Sequence, residues 1–264
     1  MNQPTYKDLL LTQPESGICL LTVNRPNALN SLNAELIDQL LQAFVWLQKQ
    51  KEVRVILITG AGKKAFIAGA DISAMQEMSA LEARQFSQQG MHLMHTIENC
   101  TVPVIALVNG YALGGGCELA MSCDFALASE NAVFGQPEVT LGVPPGFGGS
   151  QRLIRRVGRG IATQLLLSGE QVGAQEAYRI GLCNQFYPQD ELLSAGLEQA
   201  RKISRNAPRA VSFAKELANK GADMDIKHGC QMETELFSLC FATSDQKEGM
   251  RAFSERRAAN FTGC

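Results

Sequence analysis

The chain reads as an α/β core followed by a helical tail, on three observations. Strand-type apolar runs alternate with helical periods through residues 1–190. Two glycine clusters, Gly114-Gly115-Gly116 and Gly146, Gly148 and Gly149, each open a helix. From Gln189 onward strands disappear and amphipathic patterns fill residues 191–264. Residues 1–190 are therefore expected to form the core and 191–264 a helical region.

In chain order, residues 6–11 and 17–24 read as two strands joined by a turn at Gln13-Pro14-Glu15-Ser16. Asn33 is placed to cap a helix running to about Gln50, with Leu36, Leu40, Phe44 and Leu47 on one face. VRVILIT, residues 53–59, is a continuous apolar run suited to a buried strand. Strand, helix, strand in that order implies a right-handed parallel crossover. Residues 60–69 read as a loop, and Asp71 as the cap of a short helix after it. Ser79-Ala80-Leu81-Glu82 is a capping box for a helix reaching about Asn99. Its His92 and His95 stand three apart, but no third ligand pattern accompanies them, so a polar helix face accounts for them.

Residues 104–108 form the next strand. The stretch 109–151 then places a glycine triplet, the helical CELAM with Glu118 on its first turn, a strand at 124–128, and Glu138 after Gly135-Gln136-Pro137. Consecutive glycines let backbone amides approach a ligand without an intervening Cβ. At a helix N-terminus those amides are unpaired and partly positive, suited to a phosphate or a forming oxyanion. Gly115 and Glu118, three residues apart, share a helix face. A glycine triplet is also often a tight turn, and an early glutamate often only a helix-dipole partner. Neither a dinucleotide fingerprint nor a phosphate-loop motif is present. Arg152, Arg155, Arg156 and Arg159 read as a solvated or interface face. Helices are expected at 162–167 and 174–180, a strand at 183–187, then helices at 192–204, 208–220, 225–241 and 246–258.

The run NGYALGGGCELAMSCD resembles the signature of the enoyl-CoA hydratase/isomerase (crotonase) family. So do FGQPEVTLG, the Pro-Gly and GGSQRL that follow it, and KAFIAGADISAM upstream. The likeness spans about residues 6–261, with the motifs in family order. It implies a crotonase (ClpP-like) superhelix of ββα units whose C-terminal helices build a homo-trimer, with trimers pairing as hexamers. It implies an acyl-CoA thioester substrate held with its carbonyl oxygen between the backbone N–H groups of Ala70 and Gly115. It implies hydration of a 2-enoyl-CoA in fatty acid β-oxidation, with Glu118 as general base and Glu138 as general acid. Ala68, Asp71, Ile72 and Gly146 line the substrate site by motif position, and Lys64 and Arg256 match basic residues that meet CoA. No cofactor beyond the substrate's own CoA, and no metal, is implied. Isomerases of the family typically lose the first acid; here both stand. A methylglutaconyl-CoA type of hydratase is the alternative within the family. Pro144-Pro145 doubles the usual proline, and Phe147 replaces a common small residue.

Composition bounds the other classes. Of 264 residues 45% are hydrophobic and 19% charged, and net charge is −2. That balance offers no bulk attraction to nucleic acid or an anionic membrane. An RNA-binding or scaffold protein is the non-enzyme alternative that the resemblance raises; the helix at 33–51 would be its surface, but its only basic residues are Lys49 and Lys51, with Glu35 and Asp38 opposing them. The N-terminus lacks signal or transit character, which suggests a cytoplasmic protein, or a mitochondrial-matrix one if processed. Eight cysteines without a C-x-x-C pair suggest small core residues in a reducing compartment. Cys117, beside Glu118, has no nearby histidine to activate it and reads as packing.

Overall fold

The computed structural model describes residues 4–264. β1 (Leu9–Glu15) and β2 (Ile18–Val23) form an antiparallel hairpin. The reversal falls at Ser16-Gly17, with Gly17 at φ 76°, and not at residues 13–16. β1 runs through Pro14 because it is a sheet edge, where a missing N–H breaks no ladder; its register slips between Thr12 and Glu15. α1 (Ala34–Leu47) starts where expected, Asn33 accepting from Leu36 N at 2.8 Å.

Next come β3 (Val55–Gly60), β4 (Ala65–Ile67), α2 (Ile72–Met75) and α3 (Ala80–Glu98), the last with both bonds of the Ser79–Glu82 capping box. Residues 60–69 are thus not all loop. β5 (Val104–Val108), β6 (Tyr111–Leu113) and α4 (Gly115–Ser122) follow, then β7 (Phe125–Ser129) and β8 (Val133–Gly135). α5 (Gly149–Val157), α6 (Arg159–Ser168), β9 (Gln171–Gly173), α7 (Ala174–Arg179) and β10 (Gln185–Tyr187) complete the region before residue 190. After it stand α8 (Leu192–Ser204), α9 (Pro208–Gly221), α10 (Ile226–Cys240) and α11 (Ser244–Ser254).

The strands form two sheets. The larger has the order β1-β2-β3-β5-β7-β10 and is parallel from β2 onward; the smaller has the order β4-β6-β8-β9. Each of β3, β5 and β7 is followed directly by a short strand of the second sheet, which produces a repeating ββα winding. Asn109 stitches two of these links. Its Nδ2 donates to the carbonyls of Gly60 and Gly62, both at 2.8 Å, and its Oδ1 accepts from Gly60 N at 3.1 Å.

The apolar run of β3 serves both faces of the large sheet. Ile56 and Ile58 join the main core with Leu40, Phe44 and Phe66, while Val55 and Leu57 join a second cluster with Leu107 and Leu127. Leu192 and Ala200 of α8 close that second cluster, and Gly196 lets the helix backbone sit directly on Leu107. A strand buried on both faces has no polar alternation to show. α9 and α10 pack together, and α10 and α11 leave Phe237, Leu239, Phe241 and Phe253 exposed. Among the described residues, no helix is long and apolar enough to cross a membrane.

Candidate active site

The small sheet positions the site. β6 pairs in parallel with β4 on one side and β8 on the other, through Ile67↔Ala112 and Leu113↔Gly135. The segments leaving their carboxyl ends, 68–70, 114–115 and 136–138, therefore lie side by side although far apart in sequence. With residues from α3 and the 141–147 segment they line a cleft of about 300 Å³. Ala68, Ala70, Ile72, Gly115, Glu118, Glu138 and Gly146 all line it.

Two glycines make the turn into α4 possible. Gly114 sits at φ 47°, and a Cβ there would stand 2.9 Å from Glu138 Oε1. At Gly116 a Cβ would fall 1.9 Å from the Ile67 carbonyl oxygen, so β4 and α4 approach at a distance only glycine permits. Gly115 opens the helix, and its N–H has no acceptor among the described residues. The Ala70 N–H is likewise unpaired, although its neighbours bond: Leu32 N donates to Gly69 O, and Asp71 N to Leu32 O. Two unpaired amides thus border one cleft.

Glu118 is 1% exposed. Its Oε1 accepts from Phe147 N at 2.8 Å and Gly149 N at 2.7 Å. Burial pushes its carboxyl up to about 7; the Gly149 amide pulls the other way, the Glu138 charge adds to the rise, and the Phe147 amide and Arg152 oppose it. Glu138 is half-buried, and burial raises its carboxyl above the usual range. Its Oε2 is enclosed without a hydrogen-bond partner. Gln136, which the sequence analysis named in a motif without assigning it to the site, is also enclosed and donates to Gly114 O at 3.2 Å.

Other expected residues fall elsewhere. Asp71 holds the cap position of α2 but makes no cap bond; its carboxylate faces Arg25 at 3.4 Å instead. Lys64 precedes β4, at the end away from the cleft, and Arg256 lies beyond α11 at φ 51°; both are exposed, and neither lines the cleft. The four arginines do not form one solvated face. Arg155 pairs with Asp223 in the open, but Arg152 is 10% exposed and grips Glu98, and Arg156 donates to the carbonyls of Met121 and Cys123. Cys117 is buried, which pushes its thiol up to about 12 and makes it a packing residue. His92 and His95 are exposed, and among the described residues no group of His, Cys, Asp or Glu could hold a metal.

Three residues that the sequence analysis did not link to Glu118 support it: Gly149, Arg152 and, through Arg152, Glu98. A Cβ at Gly149 would meet Glu118 Cγ at 2.9 Å and Gln136 Oε1 at 2.2 Å, so this glycine allows the carboxylate its place. The only signal in the sequence was the second glycine cluster, which marked a helix start without naming its ligand.

Comparison with known proteins accords with this geometry. A family model described as enoyl-CoA hydratase/isomerase matches residues 13–264. A crotonyl-CoA hydratase of Syntrophomonas wolfei is 48% identical over 97% of this chain and 98% of its own. A short-chain-enoyl-CoA hydratase of Clostridium acetobutylicum is 47% identical over 94% of this chain and 95% of its own. The crystal structure of an enoyl-CoA hydratase from Bacillus anthracis superposes with a TM-score of 0.95 at 36% identity, covering 98% of this chain and 100% of that one.

Proposed function

The chain belongs to the enoyl-CoA hydratase/isomerase family, and we propose that its cleft hydrates short trans-2-enoyl-CoA thioesters to 3-hydroxyacyl-CoA, as in fatty acid β-oxidation. One observation carries the reading: two unpaired backbone amides, a buried carboxylate and a half-buried one border the same cleft. Addition of water to a conjugated thioester puts negative charge on its carbonyl oxygen. The amides of Ala70 and Gly115 receive that oxygen, an arrangement worth about 3–4 kcal/mol per donor in other enzymes. They require close approach and no side-chain chemistry, which suits alanine and glycine.

The carboxylates divide the proton work by their surroundings. Two amide N–H groups on one oxygen stabilise ionised Glu118, which leaves its other oxygen to take a proton from water attacking C3. Glu138, raised by burial and with Oε2 unpartnered, is suited to hold a proton and deliver it to C2. Both glutamates acting from one side gives syn addition. Ala68, Ile72 and Gly146 form apolar walls for the acyl-thioester part. Phe147 lines the same cleft and fills volume that a smaller residue would leave to a longer acyl chain. Lys64 and Arg256 are exposed, and among the described residues their side chains have no partner, so they remain free to meet CoA phosphates. The apolar side chains left open on α10 and α11 support assembly as a homo-trimer or a hexamer of paired trimers.

The test is a panel of trans-2-enoyl-CoA substrates of increasing chain length, followed by loss of the conjugated thioester absorbance. Turnover should be highest with the four-carbon substrate and fall as the chain grows. No turnover on any member would overturn the reading. Light scattering at micromolar concentration should give a trimer or hexamer; a monomer would remove the explanation for the exposed face.

A further inference from the structure

The turn that feeds two amides to Glu118 is not held by secondary structure. Residues 144–148 lie between the 3-10 turn Pro137–Leu141 and α5, and Gly148 sits at φ 95°. What fixes the turn is α3. Ser87 Oγ donates to the Gly146 carbonyl at 2.6 Å. The Phe147 ring lies against Gly90, where a Cβ would come within 2.3 Å of it, and meets Phe86 edge-on with centroids 5.3 Å apart. The third support is electrostatic. Arg152 Nη1 donates to the Phe147 carbonyl at 2.7 Å, while its Nε and Nη2 hold both oxygens of Glu98 at 2.6 and 2.8 Å. A Cβ at Gly148 would fall 2.2 Å from Arg152 Nη1, so this glycine also clears space for the guanidinium.

We infer that the Glu98–Arg152 fork is a positioning device for the catalytic base: it clamps the Phe147 peptide from the carbonyl side so that its neighbouring amides stay aimed at Glu118. The geometry explains the choice of arginine. Three donors on one planar group reach a carboxylate and a backbone carbonyl together, which a lysine ammonium cannot reproduce with the same fixed directions. The pair is also poorly solvated, with Arg152 10% and Glu98 31% exposed, so the fork is held more firmly than a surface bridge. Arg152 also acts through space, since its charge opposes the upward displacement of the Glu118 carboxyl. The charged groups that bear on Glu118 are Glu138 and Arg152, with Glu98 behind the arginine and the neutral Cys117 thiol beside it.

The inference rests on the proposed role of Glu118, and the test separates the two. Arg152→Lys and Glu98→Gln are assayed in the full-length assembled protein against crotonyl-CoA across pH. Arg152→Lys should lower kcat about 10-fold or more, with KM within about threefold, because a base displaced by about 1 Å can lose about 10²-fold. The acid limb of its kcat profile should move to higher pH, since the Glu118 carboxylate loses part of its support. Glu98→Gln should show the same pattern more weakly; if the lysine variant does not fold, this variant decides. The double variant Glu118→Gln/Arg152→Lys should be little worse than Glu118→Gln alone. An unchanged kcat and pH profile in a folded variant overturns the inference. So does an equal loss in the Glu118→Gln background, which would mean that Arg152 acts on something other than the base. Full activity of Glu118→Gln itself would instead sink the proposed function.

Discussion

Glu118→Gln should make the protein inactive and, above neutral pH, more stable. The carboxyl is 1% exposed and displaced by burial from 4.5 to about 7. Its folded value is raised, so between pH 4.5 and 7 the native state binds more protons than the unfolded chain. Stability contributed by this group is then present at low pH and is lost as pH rises through 7. With about 1.4 kcal/mol for each pH unit, the full displacement corresponds to about 3 kcal/mol. Integrated from pH 5 to pH 8 it comes to about 2.5 kcal/mol. A glutamine has nearly the same shape, and its oxygen can still accept from Phe147 N and Gly149 N, but it carries no proton-linked term.

The assay is urea unfolding of both proteins at pH 5 and pH 8, at one protein concentration because the chain is proposed to assemble. The stability of Glu118→Gln relative to the native protein should rise by about 2.5 kcal/mol between the two pH values. Hydratase kcat should fall at least about 10²-fold. In the native enzyme kcat/KM should climb as pH rises toward 7, with about a tenth of the base ionised at pH 6, and turn down again where Glu138 loses the proton it must deliver. A relative stability equal at pH 5 and pH 8 would refute the argument that burial, and not chemistry alone, sets the state of this carboxyl.

Two adjacent glycines should separate folding from catalysis. Gly116→Ala drives a Cβ into the Ile67 carbonyl and should destabilise by about 3 kcal/mol or more, read as loss of soluble protein or a lower melting temperature. Gly115→Ala has a φ outside the positive range and meets Leu32 and the Phe147 ring at 3.2 Å, so it should fold with small shifts but lose about 10²-fold in kcat as the carbonyl is pushed off the amides. Full turnover of a folded Gly115→Ala would place the thioester oxygen elsewhere. Phe147→Ala should shift preference toward longer enoyl chains, at a stability cost of about 3–5 kcal/mol for a buried phenylalanine. An unchanged chain-length ranking would mean that the ring does not bound the acyl site.

Local chemistry was legible in the sequence, and long-range contact was not. Asn33 and Ser79 were readable as caps because their partners lie within three residues. The union of Gly115 and Glu118 on one helix was readable for the same reason. β4, β6 and β8 escaped because three residues hold no period, yet those strands align the site. Pro14 misled as a turn signal because edge position is a tertiary property. Arg152 looked solvated because its partner, Glu98, stands 54 residues upstream on another helix. Glu138 was legible as a second carboxylate that needed the chain to fold back; its approach to Gly114 depends on the pairing of β6 with β8.

The small sheet then has a role that its size would not suggest. Its three short parallel strands add Phe66, Ile67, Ala112 and Phe134 to the main core. Their value lies in register: β4 delivers the Ala70 amide, β6 delivers Gly115 and the helix carrying Glu118, and β8 delivers Glu138. A parallel ladder sets these three exits at neighbouring positions, and the glycine at 116 lets α4 press against β4 closely enough to share one cleft. The fourth side needs a different solution, because the 144–148 turn has no ladder to hold it. There α3 supplies a hydroxyl, a ring socket and a carboxylate gripping Arg152. Both amides that bond Glu118 come from this turn, so strand pairing places the helix that carries the glutamate, while side chains of α3 and Arg152 of α5 hold the amides that meet it.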